Sequence, residues 1–289
     1  IYFAQLRSAV FDRDLDVAAE FAYLGQPPRP SHVVPIGPTF VWLPLYLAVA
    51  LVDTAWRSLG FGGTAGDGVA AGLTLPYVRA ALVSSFAIGA VGLFALHARL
   101  RREFSPGVAL AASLLLFGAT PLVWYMVYEP AMTHAASFGF VALFVVASAQ
   151  LTRVGMGAAA SVLLGVLLGL AVMTRPQEAL FALFPATLLL MARAPARTRL
   201  LAALRLAAWA FAGVVPFLAL QAWHSAVLLN RESFALVGGG GYLDFWNSHW
   251  ADTLWSSWHG FFSWTPVAYL GFLALFAYAF RHGGWAVAG

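Results

Sequence analysis

Apolar runs of membrane-crossing length alternate with short polar junctions along this chain. About twenty consecutive apolar residues suffice for a transmembrane helix, and runs near that length fall at 76–98, 106–127, 132–151, 156–174, 202–228 and 265–281. A shorter run at 177–193 predicts a tilted or partly inserted helix. None shows the alternation of a barrel strand. The pattern therefore predicts an all-α, polytopic membrane protein, with residues 1–289 forming a single transmembrane domain. The run 38–56 is ambiguous. Its length permits spanning, but Pro38, Pro44 and Asp53 argue for an interfacial or re-entrant helix. Trp42, Tyr46 and Trp56 in the same run suit the headgroup belt. Residues 1–10 read as the exit of a helix whose beginning is absent, which predicts a fragment.

Composition agrees with the membrane reading. Of the 289 residues 61% are hydrophobic and 10% charged, and the mean hydropathy is +0.80, against about 25% charged in a soluble domain. The net charge of +4 is small and its arginines lie between apolar runs. They report topology, not nucleic-acid binding. The absence of cysteine excludes disulfides, thiolate catalysis and thiolate metal sites. Arg99, Arg101 and Arg102, then Arg153, then Arg193, Arg197, Arg199 and Arg205, and finally Arg281 are each separated by two crossings. The positive-inside rule makes their side cytoplasmic. The opposite side then holds residues 59–75, the turns at Glu129 and Arg175, and a loop over 229–264.

Against this background the few acids stand out. Four of the twelve acidic residues, Asp12, Asp14, Asp16 and Glu20, fall within ten positions. On a helix Asp12, Asp16 and Glu20 would share a face and Asp14 would point elsewhere. The plain structural alternative is a hydrated loop or a first-turn cap. Glu129 sits at a membrane boundary before Pro130, which suits the first position of the next helix, with His134 one turn in. Acids at such depth are costly and usually have a partner. Arg175 lies on the outer side against the positive-inside trend, where a guanidinium fork can hold a phosphate; the alternative is a snorkelling side chain paired with Glu178. The loop over 229–264 carries four consecutive glycines from Gly238 and many aromatics, among them Trp258. Tryptophans stack on sugars and also anchor loops at headgroups. Without a following Gly-Lys-Ser/Thr the glycines make no P-loop. His249 and His259 lack metal-ligand spacing, so no cofactor is expected and a divalent metal is unsupported.

In order and sidedness these motifs resemble the GT-C superfamily of membrane glycosyltransferases, in the group of protein O-mannosyltransferases and bacterial aminoarabinose transferases. The family's Pro-Pro-Leu-Tyr-Trp-type run is similar to Pro38-Thr39-Phe40-Val41-Trp42-Leu43-Pro44-Leu45-Tyr46. Its Asp-Glu start of a first juxtamembrane helix resembles Asp14-Leu15-Asp16-Val17-Ala18-Ala19-Glu20, with Leu15 and Ala18 departing from it. Tyr128-Glu129-Pro130 resembles the second acid. Thr174-Arg175-Pro176 resembles the basic turn, and residues 256–266, including His259, match a run carried by bacterial relatives.

The resemblance implies a GT-C-type helix bundle whose first outer loop, 11–75, bears juxtamembrane helices, with 38–56 at the interface and not spanning. It implies a bacterial inner-membrane enzyme with its active site facing the periplasm or exterior. The expected donor is a polyprenyl-phosphate-linked sugar and the acceptor a hydroxyl on a lipid, glycan or protein. Asp14, with Asp12 and Asp16 as alternatives, would act as base and Glu129 would assist it. Arg175 would hold the leaving phosphate, and His134, His259, Glu20 and Trp258 would contact substrate. The acidic stretch, Glu129 and Arg175 are then expected to line one cavity. The rival readings are a transporter or flippase, which would favour polar groups near the midplane of several spans, and a non-catalytic subunit of a polysaccharide assembly complex.

Overall fold

The computed structural model describes residues 2–14, 16–23, 25, 35–62, 71–152, 155–229, 249–258 and 260–281. Among them every regular element is helical. The loop at 26–30, Asp67, Arg153, the glycine run with the aromatics up to Asn247, and His259 lie outside the described residues. The chain opens with α1 (Tyr2–Arg7), which continues as a π-helical turn (Ser8–Asp12), then α2 (Ala18–Tyr23) and α3 (Gly37–Ser58). The bundle follows as α4 (Leu75–Leu100), α5 (Pro106–Gly118), a second π-helical turn (Trp124–Tyr128), α6 (His134–Leu151) and α7 (Ala158–Thr174). A 3-10 segment (Pro176–Ala182) leads into α8 (Leu183–Met191) and the long α9 (Ala196–Leu229). The last helices are α10 (Trp250–Trp255), α11 (Phe261–Trp264) and α12 (Val267–Arg281). Among the described residues α3, α4, α6 and α9 are long and apolar enough to cross a membrane. The bundle's exposed surface is itself apolar, with Phe94, Leu114 and Phe211 uncovered, as a lipid-facing surface requires.

Small residues set the helix directions. A Cβ on Gly92 would lie 2.7 Å from the Gly139 Cα, and one on Gly89 would lie 3.2 Å from the Ala135 oxygen. α4 and α6 therefore run parallel and in close contact, the packing that small residues permit in membranes. Gly165 and Gly213 bring α7 and α9 together in the same way. Phe144, Leu164, Leu168, Val172, Leu189 and Leu206 form one apolar cluster among α6, α7, α8 and α9. With these directions the N-termini of α4 and α6 and the C-termini of α7 and α9 share one end of the bundle. The arginines after α4 and before α9 share the other.

Three local expectations change. The run 106–127 is broken: α5 stops at Gly118, and Thr120 bonds the Leu116 carbonyl at 2.6 Å before the π-helical turn begins. Pro130 does not start α6. The Met132 N–H donates to the Glu129 carbonyl at 3.0 Å, closing a turn around Pro130, so His134 is the first helical residue. The third change concerns the aromatics of α3, not whether it spans. The helix continues through Pro44 for 22 residues and, by length and composition, could cross a membrane. It lies antiparallel on the first turns of α4, where the Trp42 Nε1–H donates to Ser85 Oγ at 2.7 Å and Tyr77 bonds Asp53 at 3.3 Å. Trp42 and Tyr46 are therefore core residues, not belt residues, and only Trp56 remains exposed.

Candidate functional site

The acidic stretch does not form one helical row. The π-helical turn ends at Asp12, Arg13 takes left-handed backbone (φ 61°), and α2 starts only at Ala18. The reversal at Arg13 brings Asp14 back to Ser8, whose hydroxyl donates to Asp14 Oδ1 at 2.6 Å; the Asp16 N–H donates to the same oxygen at 3.1 Å. Asp16 in turn accepts from the Ala18 N–H at 3.0 Å, the capping role. Asp12 and Glu20 converge on Arg7. Its Nη1 donates to Glu20 Oε1 at 2.6 Å and also to Asp12, while its Nε donates to the Ala71 carbonyl at 3.1 Å. Burial opposes the Arg7 charge, but Glu20 and Asp12 outweigh it and hold the guanidinium pKa above its ordinary value. Glu20 is 2% exposed, and its Oε2 has no hydrogen-bond partner among the described residues. Of the three aspartates, Asp14 alone is bonded only by neutral donors while capping no helix.

Arg175 follows the last residue of α7. Its Nη1 donates to His134 Nδ1 at 2.7 Å. A guanidinium can only donate, so Nδ1 accepts and the His134 proton sits on Nε2. With its amide turned, Gln177 accepts from the Arg175 Nε and Nη2 at 2.9 and 2.7 Å. Tyr125 stacks on the His134 ring at 3.9 Å and 17°. Glu178 is not the partner of Arg175: it accepts from the Ser137 hydroxyl at 2.7 Å. Half-buried Arg175 thus has neutral partners and no ion pair among the described residues. Pro176, the next residue, lines an apolar cavity of about 430 Å³ between α7, α8 and α9, walled by Val172, Leu168, Pro185 and Phe211.

The other candidates are dispersed. Glu129 is exposed at the end of its π-helical turn, at the same end of the bundle as Arg175. No hydrogen bond or ion pair joins the acidic stretch to Glu129, His134 or Arg175 among the described residues. Phe11 packs on Tyr77 at 5.7 Å, whereas His134 lies level with Gly89 of α4. The two groups are therefore offset along α4 by as much as roughly 18 Å at 1.5 Å per residue. They share an end of the bundle, but the single cavity expected of them is not formed by direct contact. Trp258 is exposed on a C-terminal aromatic unit in which Trp255 stacks on Phe262 at 5.6 Å. Among the described residues no group of three His, Asp or Glu could hold a metal ion.

Two features escaped the sequence reading. Arg7, in the stretch read only as a helix exit, organises two acids. Gln221, His224 and Ser225 lie in the apolar run of α9 at helical spacing, a legible signal of a buried polar face. Gln221 Oε1 accepts from the Ile36 N–H at 2.9 Å, which ties the start of α3 to α9. His224 is fully buried, and neither ring nitrogen has a partner among the described residues. Comparisons with protein-family models, with curated proteins and with solved structures find no match to this chain.

Proposed function

We propose that this protein is a GT-C-type glycosyltransferase that moves a sugar from a polyprenyl-phosphate donor to an acceptor hydroxyl on the extracytoplasmic side of a bacterial inner membrane. One observation carries the reading. Arg175 is a cation with only neutral partners, next to an apolar cavity between helices. A lipid phosphate supplies the missing anion and its chain supplies apolar filling for the cavity. In a low-dielectric site such a fork attracts phosphate strongly.

The acceptor oxygen attacks the anomeric carbon, the bond from that carbon to the phosphate oxygen breaks, and polyprenyl phosphate leaves with the electron pair. Arg175 meets the charge that develops there. The acceptor proton passes to a carboxylate that no cation holds, Asp14 or Glu129. The attacked carbon is bonded to the phosphate oxygen, so the base lies beside the Arg175 site. The offset along α4 favours Glu129, on the turn before His134, and Asp14 serves as base only if the acidic stretch moves toward Arg175. His134, fixed as an acceptor toward Arg175, keeps the guanidinium in place. After His134, α6 and α7 carry no acidic or basic residue along their length, whereas a transporter would favour polar groups near the midplane of several spans.

The test is turnover of a labelled polyprenyl-phosphate sugar by purified protein, with donor affinity measured in parallel. Arg175→Ala is expected to weaken both. Loss of the base, by Asp14→Asn or Glu129→Gln, is expected to lower turnover about 10²- to 10⁴-fold with donor binding retained. Wild-type turnover in Asp12→Asn, Asp14→Asn, Asp16→Asn and Glu129→Gln alike would remove the enzymatic reading and leave the transporter or subunit in its place.

A further inference from the structure

We propose that the groove between α3 and α4 holds an anionic diacyl phospholipid, with Arg79 on its phosphate. The groove encloses about 700 Å³, within the roughly 300–1,000 Å³ usual for small-molecule sites. Leu45, Val49, Val52 and Trp56 line it from α3, and Ala80 and Val83 from α4. These walls suit hydrocarbon. The polar groups are concentrated at one end. Arg79, on the second turn of α4, is exposed and makes no ion pair among the described residues. Asp53 also lines the groove, but it is 5% exposed and its carboxylate accepts from Arg57 at 2.8 Å and Tyr77 at 3.3 Å. Its charge is thereby offset, and Arg79 remains the cation available to a ligand. Trp56 lies at the same end, half-exposed, where an amphipathic ring marks headgroup depth.

A groove that is apolar along its length and cationic at its headgroup end is complementary to an anionic lipid. It is not continuous with the acidic stretch. Tyr77 touches Phe11 with its ring and Asp53 with its hydroxyl, so a buried tyrosine stands between the groove and the candidate carboxylates. That separation favours a resident membrane lipid over the sugar donor, and the inference does not depend on the proposed transfer activity.

The experiment uses the purified full chain in a neutral detergent, with dioleoyl phosphatidylglycerol and dioleoyl phosphatidylcholine offered at equal concentration and retained lipid read by native mass spectrometry. Wild type is expected to retain the glycerol lipid preferentially. Arg79→Gln should lower that retention about tenfold, toward the choline lipid. Val83→Trp, which fills the groove from its open side, should lower both. Equal retention of the two lipids by wild type would overturn the proposal. So would wild-type retention in Arg79→Gln. A long-chain polyprenyl phosphate that displaces the glycerol lipid from wild type but not from Arg79→Gln would make the groove a donor site and overturn the assignment to a resident phospholipid. If Arg79→Gln does not fold, the lipid preference of wild type and the Val83→Trp result still decide.

Discussion

Arg7 and Arg175 are both half-buried arginines toward the same end of the bundle, and their surroundings are opposite. Arg7 is enclosed by Glu20, Asp12 and a backbone carbonyl. Arg175 is enclosed by an imidazole and an amide. The first arrangement is electrically closed: two carboxylates on one guanidinium leave no positive charge for a ligand. The second is open, because neutral acceptors fix the fork's orientation without cancelling its charge. The same residue type therefore has a holding role in one place and a receiving role in the other. The difference lies in partners that are 13 and 41 residues away.

The largest expected effect breaks or upholds this contrast directly. Arg7→Ala strands Glu20, whose side chain is 1% exposed, as a buried unpaired charge. Removing one partner of such a pair costs about 3–5 kcal/mol, so unfolding of the purified protein should shift by that amount. Arg175→Ala strands no charge and should cost roughly 1 kcal/mol or less, while weakening affinity for polyprenyl phosphate. Equal destabilisation by the two variants would erase the distinction.

A second variant sharpens the cause. Adding Glu20→Gln to Arg7→Ala removes the stranded charge and should recover about half of the loss, leaving the cost of the missing hydrogen bonds. No recovery would mean that Arg7 acts through Ala71 and packing against Phe11, not through Glu20.

The helices were legible because a long apolar run between polar junctions is a local signal. The sidedness of Glu129, His134 and Arg175 was legible because arginines mark one end of each span. The meeting of His134 with Arg175, which Glu129 does not join, was only half legible. Two turns on one side can meet, but the His134–Arg175 bond depends on how closely α6 and α7 pack. The pairing of Arg7 with Glu20 was hidden because the reversal at Arg13 requires a left-handed, non-glycine residue that sequence patterns rarely flag. The burial of Trp42 and Tyr46 was misread for a related reason. Aromatics that mark a headgroup belt and aromatics that fill a helix interface look alike until the facing helix is known.

Arg175→Lys should have a smaller effect than Arg175→Ala. Lysine keeps the charge but not the planar fork, so donor affinity should fall about tenfold, the loss of roughly one good charged hydrogen bond. Full affinity in Arg175→Lys would show that the site needs only a point charge, and the bonds to His134 and Gln177 would then have no orienting role.

The smallest expected effect is at Glu178, and it tests whether Arg175 is open at all. Glu178 lies three residues from Arg175 and would be its natural partner on spacing alone, yet it accepts from Ser137. Glu178→Gln keeps an acceptor for that hydroxyl and removes a negative charge from the vicinity of the fork. If Arg175 is uncompensated, the substitution adds only a weak, solvent-screened gain, and affinity for polyprenyl phosphate should stay within about twofold of wild type. If the two pair in solution, phosphate must displace Glu178 before it binds. Removing the carboxylate would then tighten binding about tenfold or more, by the energy of a competing charged bond. Titration of donor affinity for wild type and Glu178→Gln at low and physiological salt separates the cases, since a displaced ion pair also makes the difference between the two proteins salt-dependent.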